Sequence, residues 1–407
     1  MKSEIPKVLH PIAGRPMLGY ALDLTRDLRP KFKICVLGHK SQLVQKFIKE
    51  QRDEVIIKIQ KRLLGSADAV KQARFTLRDF KGVVLVLYGD NPLVKLETLK
   101  KLIQYHQRLR ACATLLVAML DKPKGYGRII RDSSCNISRI VEELEANDYE
   151  KDIKEINTGI FCFDKEKLFR ALNRVKLHPH KKEYYLTDVI GTLSKQGEVI
   201  ESLRLEDPQE AIGINKQADL SQVEKIMQRR LQSRLMDKGV RIVDPDSTRI
   251  CWDTQIMMGS IVFPFTVIES NVKIGKNCSI GPFCHLREGT VIKNNSTIGN
   301  FAEVTRSKIG QGSTAKHFCY LGDTRLGKGV NIGAGTVTAN FDGKKKSVTK
   351  ILDKAFIGSD TILVAPVKVG RCAKTGAGSV VTRNKDVPPN TTVVGVPAKP
   401  LKKCVSV

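Results

Sequence analysis

The chain has 407 residues and a formal net charge of +27, from 69 lysines and arginines against 42 aspartates and glutamates. This length predicts two domains, each able to bury its own core. No apolar run is long enough to span a bilayer, so we expect no membrane insertion. The ten scattered cysteines show no C-x-x-C or zinc-type spacing, which favours free thiols and a cytoplasmic location.

The large positive charge is compatible with nucleic acid, an anionic membrane surface or anionic small substrates as partners, and also with a merely solvated basic surface. The basic residues are spread along the chain, and aromatic residues make up only 6% of it. Nucleic-acid modules usually combine gathered basic residues with aromatics, so we expect no nucleic-acid partner. The histidines form no metal-binding pattern, and we expect His178 and His180, in a lysine-rich loop, to be solvated.

Residues 1 to about 215 alternate strand-like and helix-like segments, which predicts an α/β domain with a largely parallel sheet. The predicted strands are residues 32–38, 55–60, 83–88, 113–119 and 159–163, and predicted helices include residues 41–49 and 66–80. Apolar residues at helical spacing over 216–238, followed by Gly239 as a stop, then predict a helix that connects to the second half.

From Ile250 onward the apolar residues repeat every six positions. After ten such positions the phase slips by one residue to Ile309, and the same period returns further along. The positions are Ile250, Ile256, Val262, Ile268, Ile274, Ile280, Leu286, Ile292, Ile298 and Val304, then Ile351, Ile357, Leu363, Val369, Val381, Val387 and Val393, with Thr375 in the gap. A hexapeptide parallel β-helix has this period, because one aliphatic residue of each six enters a triangular core.

A basic segment over residues 340–350, NFDGKKKSVTK, interrupts the repeat. Solenoid proteins place insertions in loops outside the coils, often on the functional face. We therefore expect a loop here that could reach a phosphate group on a neighbouring subunit.

Several motifs together carry a resemblance to one family. They are VLVLYGDNPLV around Asp90, then EINTGIFCFD and EYYLTDVI, and on the β-helix TAKHFCYLGD ahead of NIGAGTVTANFDG. Over nearly the whole chain they resemble the bacterial bifunctional UDP-N-acetylglucosamine pyrophosphorylase and glucosamine-1-phosphate N-acetyltransferase. The resemblance implies a Rossmann-like nucleotidyltransferase domain over 1–215, a linker helix over 216–240, a left-handed parallel β-helix over 241–398, and a tail over 399–407.

The same resemblance implies two reactions and an assembly. One transfers UMP from UTP to N-acetylglucosamine 1-phosphate, and the other acetylates glucosamine 1-phosphate with acetyl-CoA, in a homotrimer. In that family the first strand ends in a glycine-rich loop, and Met1 matches the last residue of the loop. Backbone N–H groups of such a loop bind phosphates. We therefore expect the sequence as given, MKSEIPKVLHPIAG onward, to hold its nucleotide poorly, and an upstream extension to restore uridylyl transfer.

For uridylyl transfer, the family chemistry needs a cation near the leaving pyrophosphate and a metal that bridges the reacting oxygens. By resemblance, Lys7 is the phosphate lysine, and Asp90 and Asn215 hold Mg²⁺, which prefers oxygen ligands. The other matching residues of the UTP and UDP-N-acetylglucosamine site are Gln60, Gly65, Ser66, Tyr88, Gly89, Gly127, Glu142 and Asn157. Taken alone, Asp90 could equally be a helix cap at a strand end.

For acetyl transfer, a base must take a proton from the substrate ammonium before the amine can attack a thioester. By resemblance, His317 is that base, and Glu303 could orient its imidazole. The matching sugar-phosphate contacts are Arg287, Tyr320, Asn331, Asn340, Phe341 and Lys346, and the matching acetyl-CoA contacts are Ala334, Ser359 and Ala377.

Three positions depart from the family pattern. Thr305 stands where the family usually has lysine, Phe341 where it has tyrosine, and Gly395 where it has arginine. These departures bear on sugar specificity and CoA affinity more than on the fold. Two alternatives therefore remain open: a related enzyme with another hexose phosphate or a decayed nucleotidyl site, and a non-catalytic trimeric scaffold. The presence of the proposed catalytic residues argues against the scaffold.

Overall fold

The computed structural model describes residues 1–179 and 181–401, so His180 and residues 402–407 of the predicted tail lie outside the described residues. The chain separates into two compact units, Met1–Val223 and a second unit from Glu224 onward. The boundary falls inside the helix Gln217–Met236. Every described cysteine is a free thiol. No helix in the described ranges is both long enough and apolar enough to cross a membrane.

The first unit is built around a six-stranded sheet. The strands lie in the order Ile200–Arg204, Ala113–Met119, Glu155–Asp164, Arg128–Arg131 and Ile137–Val141, and Val83–Val86 also pairs with Glu155–Asp164. Two smaller strand pairs are Pro11–Ile12 with Arg15–Pro16 and Ile34–Leu37 with Ile56–Ile59. The helices are Met17–Leu28, Ser41–Glu50, Ser66–Lys71, Leu96–Leu109, Asp148–Lys151, Lys165–Leu172 and Asp188–Ser194, with 3-10 turns at Lys7–Leu9 and Pro208–Ala211.

The central strand of this sheet, Glu155–Asp164, is antiparallel to three neighbours, so the expectation of a largely parallel sheet is wrong. Parallel neighbours need a long crossover connection, usually a helix. Between Ala113–Met119 and the central strand the chain makes a hairpin and only the short helix Asp148–Lys151, and it therefore returns antiparallel. Ile200–Arg204 does pair in parallel with Ala113–Met119.

The helix predicted over residues 66–80 ends at Lys71. Beyond it, the backbone N–H groups of Ala73 and Arg74 donate to the carbonyl three residues earlier, which is the tighter 3-10 pattern. Ala73 and Leu77 are nevertheless buried. The predicted helix is therefore present, but as an α-helix it is shorter than predicted.

The second unit is a parallel β-helix with three faces, which contribute one short strand each per coil. The first face is Arg241–Ile242, Ile261–Val262, Ser279–Ile280, Thr297–Ile298, Thr314–Ala315, Asn331–Ile332, Phe356–Ile357, Lys374–Thr375, Thr392–Val394 and the antiparallel Lys399–Pro400. The second face is Arg249–Ile250, Val267–Ile268, His285–Leu286, Ala302–Thr305, Cys319–Gly322, Val337–Ala339, Ile362–Val364 and Val380–Val381. The third face is Gln255–Ile256, Lys273–Ile274, Val291–Ile292, Lys308–Ile309, Thr324–Leu326, Thr349–Ile351 and Val367–Val369.

The aliphatic residues predicted from the period of six all belong to the core of the β-helix. Each of those aliphatic side chains has at most 4% of its surface exposed, and together they form one cluster. The strand register explains this, because Ile250 lies beside Ile268 and Ile268 beside Leu286 in successive coils. Each coil thus places its aliphatic residue on the one before, and the predicted hexapeptide architecture is confirmed.

Both irregularities of the repeat are absorbed at corners. After the one-residue slip, Ile309 still pairs with Ile292 of the previous coil. The segment predicted as a loop over 340–350 leaves the coil after Val337–Ala339 and rejoins it in Thr349–Ile351. The core is therefore continuous across the insertion.

Two further features stabilise the β-helix. At the corner between its first and second faces, Phe265, Phe283 and Phe301 have left-handed backbones with φ of 57°, 51° and 54°. Their rings stack at centroid distances of 4.8 and 5.0 Å, and this stacking offsets part of the cost of that backbone. At the start of the β-helix, buried Gln228 exchanges hydrogen bonds of 2.9 and 3.0 Å with the backbone of Ile250, which caps the first coil.

Candidate functional site

Three residues predicted at the phosphate and metal end of the first unit lie together. Lys7 starts a 3-10 turn, Asp90 follows the end of strand Val83–Val86, and Asn215 precedes the helix Gln217–Met236. The Lys7 Nζ lies 2.5 Å from Asp90 Oδ2 and 2.6 Å from Asn215 Oδ1. A carboxylate oxygen and an amide oxygen therefore converge on a single positive charge.

Eight residues of the same unit form a closed series that is linked by hydrogen bonds, chain neighbours and close approaches. We call them the contact ring: Ser66, Tyr88, Gly127, Glu142, Asn157, Gly159, Leu186 and Thr187. On one side, the Tyr88 hydroxyl hydrogen-bonds Ser66, whose Oγ accepts from the N–H of Leu186 at 3.0 Å. The next residue, Thr187, donates its hydroxyl to Oε1 of Glu142 at 3.0 Å.

The other side of the contact ring leads from Glu142 back to Tyr88. A Cβ on Gly127 would lie 3.7 Å from Oε2 of Glu142, and the Gly127 carbonyl accepts from the N–H of Asn157 at 2.8 Å. Oδ1 of Asn157 accepts from the N–H of Gly159 at 3.0 Å. Gly159 has φ of 82°, and a Cβ there would lie 2.5 Å from the Tyr88 ring. Glycine at 159 is thus needed both for the backbone conformation and to leave space for the Tyr88 side chain, which closes the contact ring.

The remaining predicted residues of this site lie beside the contact ring. The Gln60 amide donates to the carbonyl of Gly65 at 3.0 Å. Gly65 has φ of 95°, and a Cβ there would lie 2.5 Å from the carbonyl oxygen of Tyr184. A Cβ on Gly89 would lie 3.3 Å from Val8, so the chain around the proposed phosphate lysine packs against the backbone next to Tyr88.

The segment 183–188 belongs to this site although no single residue in it stood out from the sequence. Its Tyr184 accepts from the N–H of Ala67 at 3.0 Å and donates to the carbonyl of Leu64 at 2.7 Å, which fixes the segment beside the predicted nucleotide loop. Its Thr187 binds Glu142. The EYYLTDVI motif was the available signal for these contacts, because it lies within the resemblance.

The expectation that His178 is solvated is wrong, and its companion His180 lies outside the described residues. Nδ1 of His178 lies 2.6 Å from Oε1 of Glu145, and Nε2 lies 2.6 Å from Oδ2 of Asp188. The His178 side chain is only 21% exposed. Both carboxylates lie outside the lysine-rich loop that carries His178. The composition of that loop therefore could not reveal them.

In the second unit, the predicted sugar-phosphate residues centre on the second face of the β-helix. Arg287 Nη1 donates to Oε1 of Glu303 at 2.9 Å. Glu303 pairs in register with Tyr320 of the next coil, so their side chains leave the same face of the sheet. This arrangement presents a cation, a carboxylate and a phenol side by side.

A bidentate ion pair adjoins this group at the following corner. Arg306 places Nε and Nη2 at 2.7 and 2.8 Å from the two carboxylate oxygens of Asp323, and it also hydrogen-bonds Tyr320. The Asn340 amide donates to the same carboxylate at 2.5 Å. The hydrogen bonds from Arg306 lower the pKa of Asp323. Sequence patterns did not single out this pair, although Asp323 ends the TAKHFCYLGD motif.

The structure shows how Thr305 is accommodated at the position where the resemblance implies lysine. Thr305 is buried, with 2% of its surface exposed, and Arg306 donates back to its hydroxyl at 3.1 Å. The backbone of Arg306 is left-handed, with φ of 49°, where its side chain folds back onto Thr305. A Cβ on Gly322 would lie 2.5 Å from the Asn340 amide and 2.7 Å from the Tyr320 hydroxyl, so only glycine lets these two groups approach.

The insertion loop is an ordered hairpin. Phe341 and Lys346 form an antiparallel bridge across it. Backbone N–H groups two and three residues later donate to the Asp342 carboxylate, and they lower its pKa to about 2. Arg383 Nη1 also binds Asp342 at 3.0 Å and so ties the loop to a later coil.

His317 and Asn331 lie outside the strands of the second face. His317 is exposed at the corner between the first and second faces, and Asn331 accepts from the Thr314 hydroxyl at 3.1 Å on the first face. Glu303 gives its hydrogen bond to Arg287. Within the described part of the chain, no hydrogen bond joins Glu303 to His317, so the expected orienting contact is absent from a single chain.

The predicted acetyl-CoA residues Ala334, Ser359 and Ala377 recur at one corner of successive coils, and each follows a residue from the first face and a glycine. A Cβ on Gly333 would lie 2.6 Å from the backbone N of Ser359, and one on Gly358 would lie 2.9 Å from the backbone N of Ala377. The coils therefore touch through their backbones here. The result is a column of small side chains along the axis of the β-helix.

Comparisons with known proteins match both units. The nucleotidyl transferase family matches residues 2–209, and bacterial transferase hexapeptide repeats match residues 253–288 and 271–306. Among solved structures, UDP-glucose pyrophosphorylase complexed with UDP-glucose gives a TM-score of 0.45 at 14% identity, covering 56% of this chain and 91% of that chain.

Curated relatives span almost the whole chain. The bifunctional protein GlmU of Geobacillus sp. (strain WCH70) is 40% identical over 423 residues, which cover 96% of this chain and 91% of the relative. The protein of the same name from Heliobacterium modesticaldum is 39% identical over 429 residues, covering 97% and 92%. With this identity across both units, the chain belongs to the family of bifunctional GlmU proteins.

Proposed function

We propose that the first unit transfers UMP from UTP to N-acetylglucosamine 1-phosphate and that the second unit acetylates glucosamine 1-phosphate with acetyl-CoA. The observation that carries the proposal is that both units match GlmU relatives along almost their full length, each with its own cluster of polar residues. The product of the two reactions is UDP-N-acetylglucosamine, a precursor for cell-envelope synthesis. The free thiols fit a cytoplasmic enzyme that uses UTP and acetyl-CoA as its co-substrates.

The residues at the phosphate end of the first unit fit Mg²⁺. Asp90 and Asn215 offer two oxygens that already converge on the Lys7 ammonium, and oxygen ligands suit this ion. Among the described residues, no group of three or more His, Cys, Asp or Glu side chains is arranged so that it could hold a metal ion by itself. Mg²⁺ commonly takes one or two protein ligands and completes its shell with water and phosphate oxygens. When bound, it would neutralise charge on the reacting phosphates.

For uridylyl transfer, the protein's own contribution is position and charge. Lys7 keeps a positive charge at the place where pyrophosphate would leave, between Asp90 and Asn215. The contact ring joins Ser66, on the side proposed to bind the nucleotide, to Glu142, on the side proposed to bind the sugar. A sugar phosphate bound there would have its oxygen directed at the α-phosphate of UTP.

For acetyl transfer, His317 takes a proton from the substrate ammonium. The free amine then attacks the thioester carbonyl, and CoA leaves as a thiolate that is protonated in turn. Arg287 and Arg306 supply positive charge for the sugar phosphate beside Tyr320. The column of small residues leaves room for an extended acetyl-CoA along the β-helix.

The position of the acetyltransferase residues supports a homotrimer. Tyr320 leaves the second face, whereas Asn331 leaves the first, and two faces of a triangular coil point in different directions. Residues on both faces can meet one substrate if a second copy packs at the seam. We therefore predict a homotrimer in sedimentation experiments. A stable monomer that transfers acetyl groups at full rate would contradict this assembly.

Chelation of Mg²⁺ tests the division of labour between the units. Whatever rate of UDP-N-acetylglucosamine formation from UTP the chain supports, we expect EDTA to lower it by about 10²-fold or more, because metal charge stabilises that transition state by several kcal/mol. CoA release with glucosamine 1-phosphate should continue at its full rate, since no metal is assigned to the β-helix. Restoring Mg²⁺ is the control. Failure to release CoA from acetyl-CoA with this amine would instead support the scaffold alternative.

A further inference from the structure

His178 lies between two carboxylates from different parts of the first unit. Its Nδ1 is 2.6 Å from Glu145, in the loop after the hairpin, and its Nε2 is 2.6 Å from Asp188, at the start of a helix. A carboxylate only accepts hydrogen bonds, so both ring nitrogens can donate only when the ring is the doubly protonated imidazolium. The Tyr185 ring packs on the imidazole with a centroid distance of 4.3 Å.

These two carboxylates flank a contact of the contact ring. The N–H of Glu145 donates to the carbonyl of Glu142 at 2.9 Å, so the two residues share one turn. Asp188 directly follows Thr187, whose hydroxyl donates to Glu142. His178 therefore ties together the two backbone segments that meet in the Thr187–Glu142 hydrogen bond.

From this geometry we propose that His178 is a positioning residue of the uridylyl transfer site, whose imidazolium keeps the sugar side of the contact ring closed. The inference rests on the proposed function, which puts the N-acetylglucosamine phosphate against Glu142. When His178 loses a proton, one of its two hydrogen bonds is lost and two carboxylates face a neutral ring. The turn at Glu145 and the segment at Asp188 then separate more easily, and the sugar side loosens.

The groups that face the imidazole determine the direction of its titration. Burial lowers the pKa of His178, but the hydrogen bonds and charges of Asp188 and Glu145 outweigh burial and raise it above the ordinary 6.5. The imidazolium therefore contributes its full stability below pH 6.5 and loses it as the pH rises through the raised value. Burial also raises the pKa of Asp188 and Glu142 from ordinary values of 3.8 and 4.5, so measurements should start near pH 6.

The test compares wild type with His178→Gln, whose amide does not titrate. We expect wild type to bind UDP-N-acetylglucosamine about 5- to 20-fold more tightly near pH 6 than near pH 8, as expected for a charged hydrogen-bond clamp. The His178→Gln protein should bind with the weaker affinity at both pH values in calorimetry. His39→Gln, at an exposed histidine of the same unit, is the matched control and should keep the wild-type pH dependence.

Thermal unfolding supplies a second readout that does not need a ligand. The melting temperature of His178→Gln should fall below wild type near pH 6 and approach it near pH 8. Glu145→Gln keeps a hydrogen-bond acceptor but removes a charge, so it should also weaken the pH dependence of the melting temperature. This variant replaces His178→Gln if the latter fails to fold.

Two results would separate the possible failures. Equal loss of melting temperature at both pH values, with an unchanged affinity ratio, would mean that His178 is merely structural and would overturn the proposal. If wild type binds no UDP-N-acetylglucosamine at either pH while the melting difference still depends on pH, the link between His178 and the two carboxylates stands, whereas this chain lacks the nucleotide binding that the proposed uridylyl transfer requires.

Discussion

Replacing His317 by alanine is expected to slow acetyl transfer by about 10²–10⁴-fold, the usual contribution of a positioned base. The substrate amine is an ammonium at neutral pH, and it cannot attack the thioester until a base removes its proton. His317 is exposed at the corner between the face that carries Asn331 and the face that carries Tyr320. CoA release by purified His317→Ala at saturating glucosamine 1-phosphate is the measurement.

Two controls show whether the loss is specific to proton removal. Binding of acetyl-CoA should change little, because the imidazole acts on the amine. Uridylyl transfer, measured in the protein with the upstream extension, should be untouched because its residues lie in the other unit. A rate of CoA release near that of wild type would mean that water or another residue takes the proton. The assignment of this site would then be wrong.

The structure changes the expectation for Glu303. If it oriented His317, Glu303→Ala would give a small loss that vanishes in a double variant with His317→Ala. In a single chain, however, Glu303 binds Arg287 at 2.9 Å. We therefore expect Glu303→Ala to raise KM for glucosamine 1-phosphate by freeing Arg287, unless a second copy brings His317 to it. Additive losses in the double variant would favour the Arg287 role.

The β-helix could be predicted from the sequence because the spacing of its aliphatic residues has the same repeat as its coils. Each coil contributes aliphatic residues at fixed spacing, so that residues such as Ile268 and Ile280 stack on the coil before. A one-residue slip at Ile309 is visible for the same reason. The local pattern and the long-range contact are one and the same in a solenoid.

The first unit was less predictable because its contacts join residues that are far apart in the chain. The direction of Glu155–Asp164 depends on the short connection before it, which the strand pattern alone does not reveal. The contact ring closes through Ser66, Thr187 and Glu142, and the family motifs named only some of its members. His178 depends on carboxylates in two other segments, so neither spacing nor composition could identify its role.

Replacing Gly299 by alanine is expected to destabilise the β-helix by about 3 kcal/mol or more. A Cβ on Gly299 would lie 1.9 Å from the carbonyl oxygen and 2.4 Å from the carbonyl carbon of Lys316 in the next coil. Both atoms are backbone, so no side chain can rotate away. Coils on both sides hold that backbone in register, since the N–H of Gly299 donates to Ala315 at 2.7 Å.

Gly312→Ala is the matched control for this substitution. A Cβ on Gly312 meets no atom within 4 Å, although its φ of 68° would strain an alanine, so its loss should stay near 1 kcal/mol. Urea unfolding can be followed through Trp252, the single tryptophan of the chain, which lies in the first coils of the β-helix. Because Lys316 precedes His317, Gly299→Ala should also slow acetyl transfer in the protein that remains folded. Equal urea midpoints for the two variants would show that neighbouring coils can move apart at little cost in free energy. The tight backbone contact would then not be the reason that residue 299 is glycine.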